Sequence, residues 1–189
     1  MKAIETVYGG RRFRSRLEAR WAVFFDTLGV PYVYEPEGYD FGTHKYLPDF
    51  WLPDSEQFVE VKGVMSSVDR EKIELLVTNS GKDVVVGLPN MQFIIAENHQ
   101  EDLEAGVGFG VVVHWSTLDG EIDTSMFKCS SCGCVYFASE YENWSCPKCG
   151  TWKGRDHRIG YGNGWLWGEA EQAKIAALSA RFEYGENGS

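Results

Sequence analysis

The stretch YLPDFWLPDSEQFVEVKG, residues 46–63, decides how this chain reads. Apolar and charged residues alternate on both sides of the bend at Pro53 and Asp54, which predicts a β-hairpin with strands over 46–52 and 58–64. Side chains two apart share a face of a strand, so Glu60 and Lys62 point the same way as Phe58 and Val64, while Val59 and Val61 pack the other side. Asp49, on the partner strand, comes within reach of Glu60. Charges in the middle of strands are costly unless they are exposed, paired or bound to a metal. Two neighbouring carboxylates repel, and Mg2+ suits them because it binds through one or two carboxylates, keeps its waters and leaves room for a phosphate. With Lys62 beside such an ion to orient or deprotonate water, the cluster has the parts for metal-assisted hydrolysis of a phosphodiester. The plainer reading is an ion-pair ladder on a solvated hairpin.

Around the hairpin the patterns are helical and strand-like in turn. A helix is expected over 15–28, with Leu17, Trp21, Phe24 or Phe25, and Leu28 on one face, an S-x-x-E capping box at Ser15 and Glu18, and Gly29 and Pro31 behind it. PYVYEPE reads as a strand, 68–79 as a second helix with Ile73, Leu76 and Val77 inward, and DVVVGL and MQFIIAE as buried strands. NHQEDLEAGVGFG reads as a loop and VVVHW as one more strand. A last helix is expected over 169–182 with Ile175, Leu178 and Phe182 on one side, a face that serves either core packing or a homodimer. The order helix, three strands, helix, two strands describes an α/β chain with a mixed sheet carrying helices on its faces.

Composition bounds the alternatives. The chain has 189 residues, 43% of them apolar, enough for a core of one domain plus a small module. No apolar run reaches the roughly 18 residues of a membrane span, and MKAIETVYGG lacks a signal-peptide core, so a cytoplasmic setting without membrane contact is expected. The net charge of −10 argues at first against nucleic acid. Its distribution argues otherwise: residues 1–30 hold six basic and three acidic groups, 31–127 five and eighteen, and 128–160 five and three. Positive charge flanks an acidic middle, the layout of a protein that grips an anion at two places and holds cations between them. Arg11, Arg12, Arg14, Arg16 and Arg20 are candidate phosphate contacts, with Gly9-Gly10 letting that lead-in bend; a merely solvated face is the alternative.

CSSC, thirteen residues, then CPKC has the spacing of a four-cysteine zinc ribbon, with Cys129, Cys132, Cys146 and Cys149 as ligands and Gly133 and Gly150 permitting the tight knuckles. Such a closed thiolate site is structural. Cys134 is read as a spare thiol, although CSSCGC also offers a second register, and His157 as a surface or phosphate-contacting residue. Lys128, Lys148, Lys153, Arg155 and Arg158 interleave with Tyr136, Phe137, Trp144 and Trp152, a mixture suited to stacking on DNA and touching its backbone.

Pro48-Asp49, ten residues, then Glu60-Val61-Lys62 resembles the signature of the PD-(D/E)xK, or restriction-endonuclease-like, nuclease superfamily. The resemblance covers about the first half of the chain. It implies a restriction-endonuclease-like fold, Asp49 and Glu60 as ligands of a catalytic Mg2+ or Mn2+, the Val61 carbonyl as a further ligand, and Lys62 as the group that handles the attacking water. It also implies that Glu18 on the first helix completes the site, beside its reading as a helix cap. The expectation is therefore a metal-dependent DNA endonuclease: a core over 1–126, a zinc ribbon over 127–155, and a Gly-rich aromatic link with a C-terminal helix over 156–189. Small size and a ribbon associate it with phage or mobile-element DNA processing. The rival is a non-catalytic binding protein that uses the same scaffold to recruit nucleic acid or protein.

Overall fold

The structure, a computed structural model, describes residues 4–102, 109–115, 124–139, 145–151, 158–162 and 164–182. The chain opens with a hairpin of β1 (Thr6–Tyr8) and β2 (Arg11–Phe13), joined by Gly9 and Gly10, whose positive φ of 56° and 75° is what a two-residue hairpin turn requires. Helix α1 (Arg16–Leu28) follows. Ser15 caps its first turn by accepting from the Glu18 N–H, and Gly29 closes it in the left-handed conformation.

Five short strands come next: β3 (Val33–Tyr34), β4 (Tyr39–Asp40), β5 (Lys45–Tyr46), β6 (Phe50–Leu52) and β7 (Gln57–Val61). The expected continuous strand over 46–52 is split, because Leu47-Pro48-Asp49 leaves the ladder. Pro48 has no N–H to pair and restricts Leu47 as well. Its first part instead forms a small hairpin, Tyr39 against Tyr46. The second strand stops at Val61, so Lys62 lies just beyond it and Val64 is exposed. Helix α2 (Ser67–Ser80), capped by a Ser66/Asp69 box, leads to β8 (Val84–Gly87), β9 (Phe93–Asp102) and β10 (Phe109–Trp115).

These strands build a six-stranded sheet in the order β10-β9-β8-β7-β6-β3. All neighbours are antiparallel except β7 and β8, which run parallel and are joined through α2, since a parallel pair needs a crossover. Alternation sorts the faces. Phe50, Leu52, Val59, Val61, Val85 and Ile95 pack with Trp21, Phe24 and Phe25 of α1, while Phe58, Val84, Val86, Ile94 and Ala96 pack with Ile73, Leu76 and Val77 of α2. The last residue of β8 is glycine because Trp21 lies on it: a Cβ added at Gly87 would sit 2.6 Å from the indole. The segment read as a loop after MQFIIAE proves to continue β9 as far as Asp102, where Phe109 is its antiparallel partner.

The remainder covers the α1 side. Strands β11 (Thr124–Lys128), β12 (Val135–Ser139) and β13 (Arg158–Tyr161) form a sheet in the order β12-β11-β13. Its Met126, Val135 and Phe137 enter the same apolar cluster as α1. Gln57 Nε2 donates to the Phe137 carbonyl (2.7 Å) while Gln57 Oε1 accepts from the Phe137 N–H (3.0 Å), a buried two-bond clasp between the sheets. Helix α3 (Glu169–Ser179) packs on α1. Its inner face is Ala170, Ala173 and Ala177, whereas Ile175 is 59% exposed and Leu178 is exposed too; of the expected apolar face only Phe182 is buried. Small side chains let the two helix backbones approach. No helix among the described residues is long and apolar enough to cross a membrane.

Candidate functional site

Extending the Phe50↔Val59 register by one residue brings Asp49 opposite Glu60. Both are taken out of water, with Asp49 4% and Glu60 3% exposed. Asp49 Oδ2 accepts from the Val61 N–H (2.8 Å), and Oδ1 accepts from the Arg14 guanidinium (2.8 Å), which also holds Glu35 (2.8 Å). Glu60 Oε1 accepts from Lys62 Nζ (2.7 Å), but Glu60 Oε2 is buried with no hydrogen-bond partner. Burial, followed by the charges of Glu60 and Glu18, raises the Asp49 pKa well above the ordinary carboxylate value, against the pull of the Val61 amide and Arg14. Tyr46, whose buried hydroxyl also lacks a well-formed hydrogen bond, is raised by burial and by Glu60 beside it.

Glu18 comes to the same place from α1 and is buried. Its Oε1 accepts from the Ser15 hydroxyl (2.7 Å), and its Oε2 accepts from the Tyr34 hydroxyl (2.6 Å) and the Arg14 N–H (3.1 Å). Both oxygens are therefore occupied. Lys62 Nζ is shared between Glu60 and Asp69 Oδ1 (3.2 Å), while Asp69 Oδ2 is fixed by the Ser66 cap. Burial lowers the Lys62 pKa, but Glu60 and Asp69 together raise it, so in this arrangement Lys62 is an ammonium and a proton donor. Arg14, Glu18, Asp49, Glu60, Lys62 and Asp69 line one open cavity of about 690 Å³, together with Tyr39, Lys45 and Lys72. The hydrogen-bonded cluster sets Glu18, Glu35, Asp49, Glu60 and Asp69 against Arg14 and Lys62, so it is short of positive charge. Sequence reasoning missed Tyr34, Glu35 and Asp69. Only Asp69 left a local trace, as the acid three residues after Ser66 in a capping box.

The cysteines behave differently. Cys129, Cys132, Cys146 and Cys149 form the one group of three or more His, Cys, Asp or Glu among the described residues whose ligand atoms all lie within 4.8 Å of one another. The three carboxylates Glu18, Asp49 and Glu60 do not converge that closely. Sγ of Cys129 is 3.7 Å from that of Cys149, and Sγ of Cys132 is 3.5 Å from that of Cys146. A tetrahedron with metal–sulfur bonds of about 2.3 Å has edges of about 3.8 Å, so the group can hold a metal ion such as zinc. Each knuckle is closed by a glycine with positive φ: the Gly133 N–H meets the Cys129 carbonyl and the Gly150 N–H meets the Cys146 carbonyl, both at 2.8 Å. Cys134 stands outside the four, buried against the Asp54 carbonyl (3.5 Å), and burial pushes its thiol up to about 11.

The basic residues scatter. Arg14 alone of the five N-terminal arginines lines the cavity; Arg12 meets Glu5 (3.5 Å), Arg11 lies over the Tyr32 ring, and Arg16 and Arg20 line a separate groove with Arg181. Lys148 pairs with Asp54 at the tip of the β6–β7 hairpin (2.8 Å). Arg158 lies over Phe127 and Tyr161 and donates to the Tyr161 hydroxyl. Tyr136 and Phe137, read as stacking surfaces for DNA, are buried instead, Tyr136 stacked on Phe127 and Phe137 against Phe93. Trp144, Trp152, Lys153, Arg155 and His157 lie outside the described residues. Compared with protein-family models, with curated proteins and with solved structures, the chain matches none.

Proposed function

We propose that this chain is a Mg2+- or Mn2+-dependent DNA endonuclease of the restriction-endonuclease-like type, carrying Zn2+ in its four-cysteine centre. The observation that carries the reading is Glu60 Oε2, a buried carboxylate oxygen with no well-formed hydrogen bond although the Tyr46 hydroxyl lies beside Glu60, next to a second buried carboxylate whose proton affinity is raised by burial and by its neighbours. A buried charge left unsatisfied is expensive, and a cation removes the expense for both groups together. Asp49, Glu60 and the Val61 carbonyl would hold the ion, which when bound neutralises charge developing on the phosphodiester. The protein's own groups do the rest. Lys62 has a third N–H beyond those on Glu60 and Asp69, and it would hold the oxygen of the attacking water, whose proton passes to solvent through the open cavity while the leaving oxygen takes one from solvent. Arg14 has donors beyond those on Glu35 and Asp49, and these take a non-bridging phosphate oxygen. Glu18, with Tyr34 and Ser15, fixes the backbone at Arg14 and so aims that guanidinium.

Labelled duplex, flap, junction and single-stranded DNA incubated with zinc-loaded protein tests the reading. Cutting is expected with Mg2+ or Mn2+ and not without them. Lys62→Ala is expected to lose about 10²–10⁴-fold in rate while DNA binding persists. Wild-type protein that binds these DNAs and cuts none would instead make the chain a non-catalytic binding module.

A further inference from the structure

The face of the hairpin that carries Asp49 and Glu60 carries an aromatic pair one step further on. Trp51 lies two residues after Asp49, Phe58 lies two residues before Glu60, and Trp51 and Phe58 are direct cross-strand partners with ring centroids 4.6 Å apart. Two residues along a strand span about 6.8 Å, which is within the reach of a single nucleotide from its phosphate to its base. Tyr39, on the small hairpin above, meets Phe58 edge-on (5.9 Å, 90°) and is the residue shared by two cavities: the acidic one, and a second of about 430 Å³ lined by Trp51, Phe58, Tyr39, Pro36, Glu37 and Lys82. That volume falls in the range of roughly 300–1,000 Å³ that holds planar small ligands. At its rim Lys82 is paired with Glu56, and Glu37 accepts from the Tyr39 hydroxyl (3.2 Å), so the rim is acidic and the cavity suits a neutral ring and not a phosphate.

We propose that this second cavity is a nucleobase pocket, which receives the unstacked base beside the phosphate cut in the acidic cavity. The inference rests on the nuclease reading and names its substrate class: DNA presenting an unpaired base at the cut, as in a single strand, a flap or a loop. Phe58 is buried against Tyr39 and Trp51, and these two half-buried rings can stack on any base, because every base has a π-face, so the pocket selects for strand state and not for sequence. A base inside a continuous duplex enters only by extrusion, which costs unstacking energy and is cheapest at a mismatch.

Abasic scanning tests the pocket without altering the protein. Zinc-loaded protein without added Mg2+ or Mn2+ is titrated by fluorescence anisotropy with a labelled single strand too short to shift its register, with the same strand made abasic at one position at a time, with the matched duplex, and with that duplex carrying one mismatch. The intact single strand is expected to bind several-fold tighter than the duplex. One abasic position is expected to weaken binding roughly 5- to 150-fold, the stacking worth of one base. Tyr39→Ala, checked for folding by its melting curve, should reproduce that loss on the intact strand and add nothing on the abasic strand, because the two changes remove one interaction. A mismatched duplex that binds as well as the single strand would assign the base to extrusion, and tighter single-strand binding would assign it to an open strand; both support the pocket. A flat abasic scan in the wild type, or losses from Tyr39→Ala and the abasic site that simply add, would overturn it. The nuclease reading fails on another readout, absence of cutting by the wild type in Mg2+ or Mn2+, which leaves the scan to be judged by itself.

Discussion

The acidic cavity and the four-cysteine group both gather ionisable side chains, yet they are finished to different degrees. The thiols stand 3.5 and 3.7 Å apart in pairs, already the edges of a metal-sized tetrahedron, and turn glycines hold each knuckle. The acidic cavity has no such closure. One oxygen of Glu60 has no well-formed hydrogen bond, burial and neighbouring acids raise the Asp49 pKa, and of the four cations along the wall only Arg14 and Lys62 pair with Asp49 and Glu60. A site built to keep its ion can be geometrically complete, whereas a site that must admit substrate stays open and short of charge.

Removing zinc is the harshest way to break this contrast. Cys146→Ser, or exhaustive chelation, is expected to abolish zinc content and to remove metal-linked folding free energy on the order of 10 kcal/mol, read as a large fall in the denaturation midpoint. An unchanged midpoint would show that the knuckles fold without their ion. Gln57→Ala tests the joint between the regions, since Gln57 shares a strand with Glu60 and clasps the Phe137 backbone. Leaving both buried backbone groups unsatisfied is expected to cost about 2–4 kcal/mol in chemical denaturation. Asp49→Asn should have the smallest size, about 1 kcal/mol or less in the Mg2+-free protein at neutral pH, because it removes the repulsion from Glu60 and Glu18 but turns an NH2 towards Arg14 or the Val61 N–H, while abolishing cutting. The pH dependence follows from the raised folded pKa. The folded state binds the Asp49 proton more tightly than the unfolded chain, so wild-type stability from this group rises as pH falls through the folded value towards the ordinary 3.8. The stability of the Asn variant relative to wild type should therefore fall on acidification; a relative stability that rises would refute the assignment.

Much of this was legible where chemistry is local. Ser15 and Gly29 bounded α1, the two C-x-x-C pairs marked the knuckles, and strand alternation put Glu60 on the face opposite Val59 and Val61. The partners of those acids were not legible. Arg14 reaches Asp49 across 35 residues and Tyr34 reaches Glu18 across 16, and no periodicity records such pairs. Helix α3 misled for a different reason. Ile175 and Leu178 look like the inner face by hydrophobicity, but closeness to α1 decides the packing, and alanine fits where a larger side chain does not. The polar end of β9 looked like a loop, because Asn98 to Asp102 carry no apolar alternation and owe their strand to pairing with β10.

The most direct test of the account is a Mn2+ titration of zinc-loaded protein followed by electron paramagnetic resonance, comparing wild type with Glu60→Gln. One Mn2+ per wild-type chain beyond the zinc is expected, and its loss in Glu60→Gln with the melting curve preserved. Equal Mn2+ binding by both proteins, or none by the wild type, would contradict the claim that the acidic cavity is a cation site.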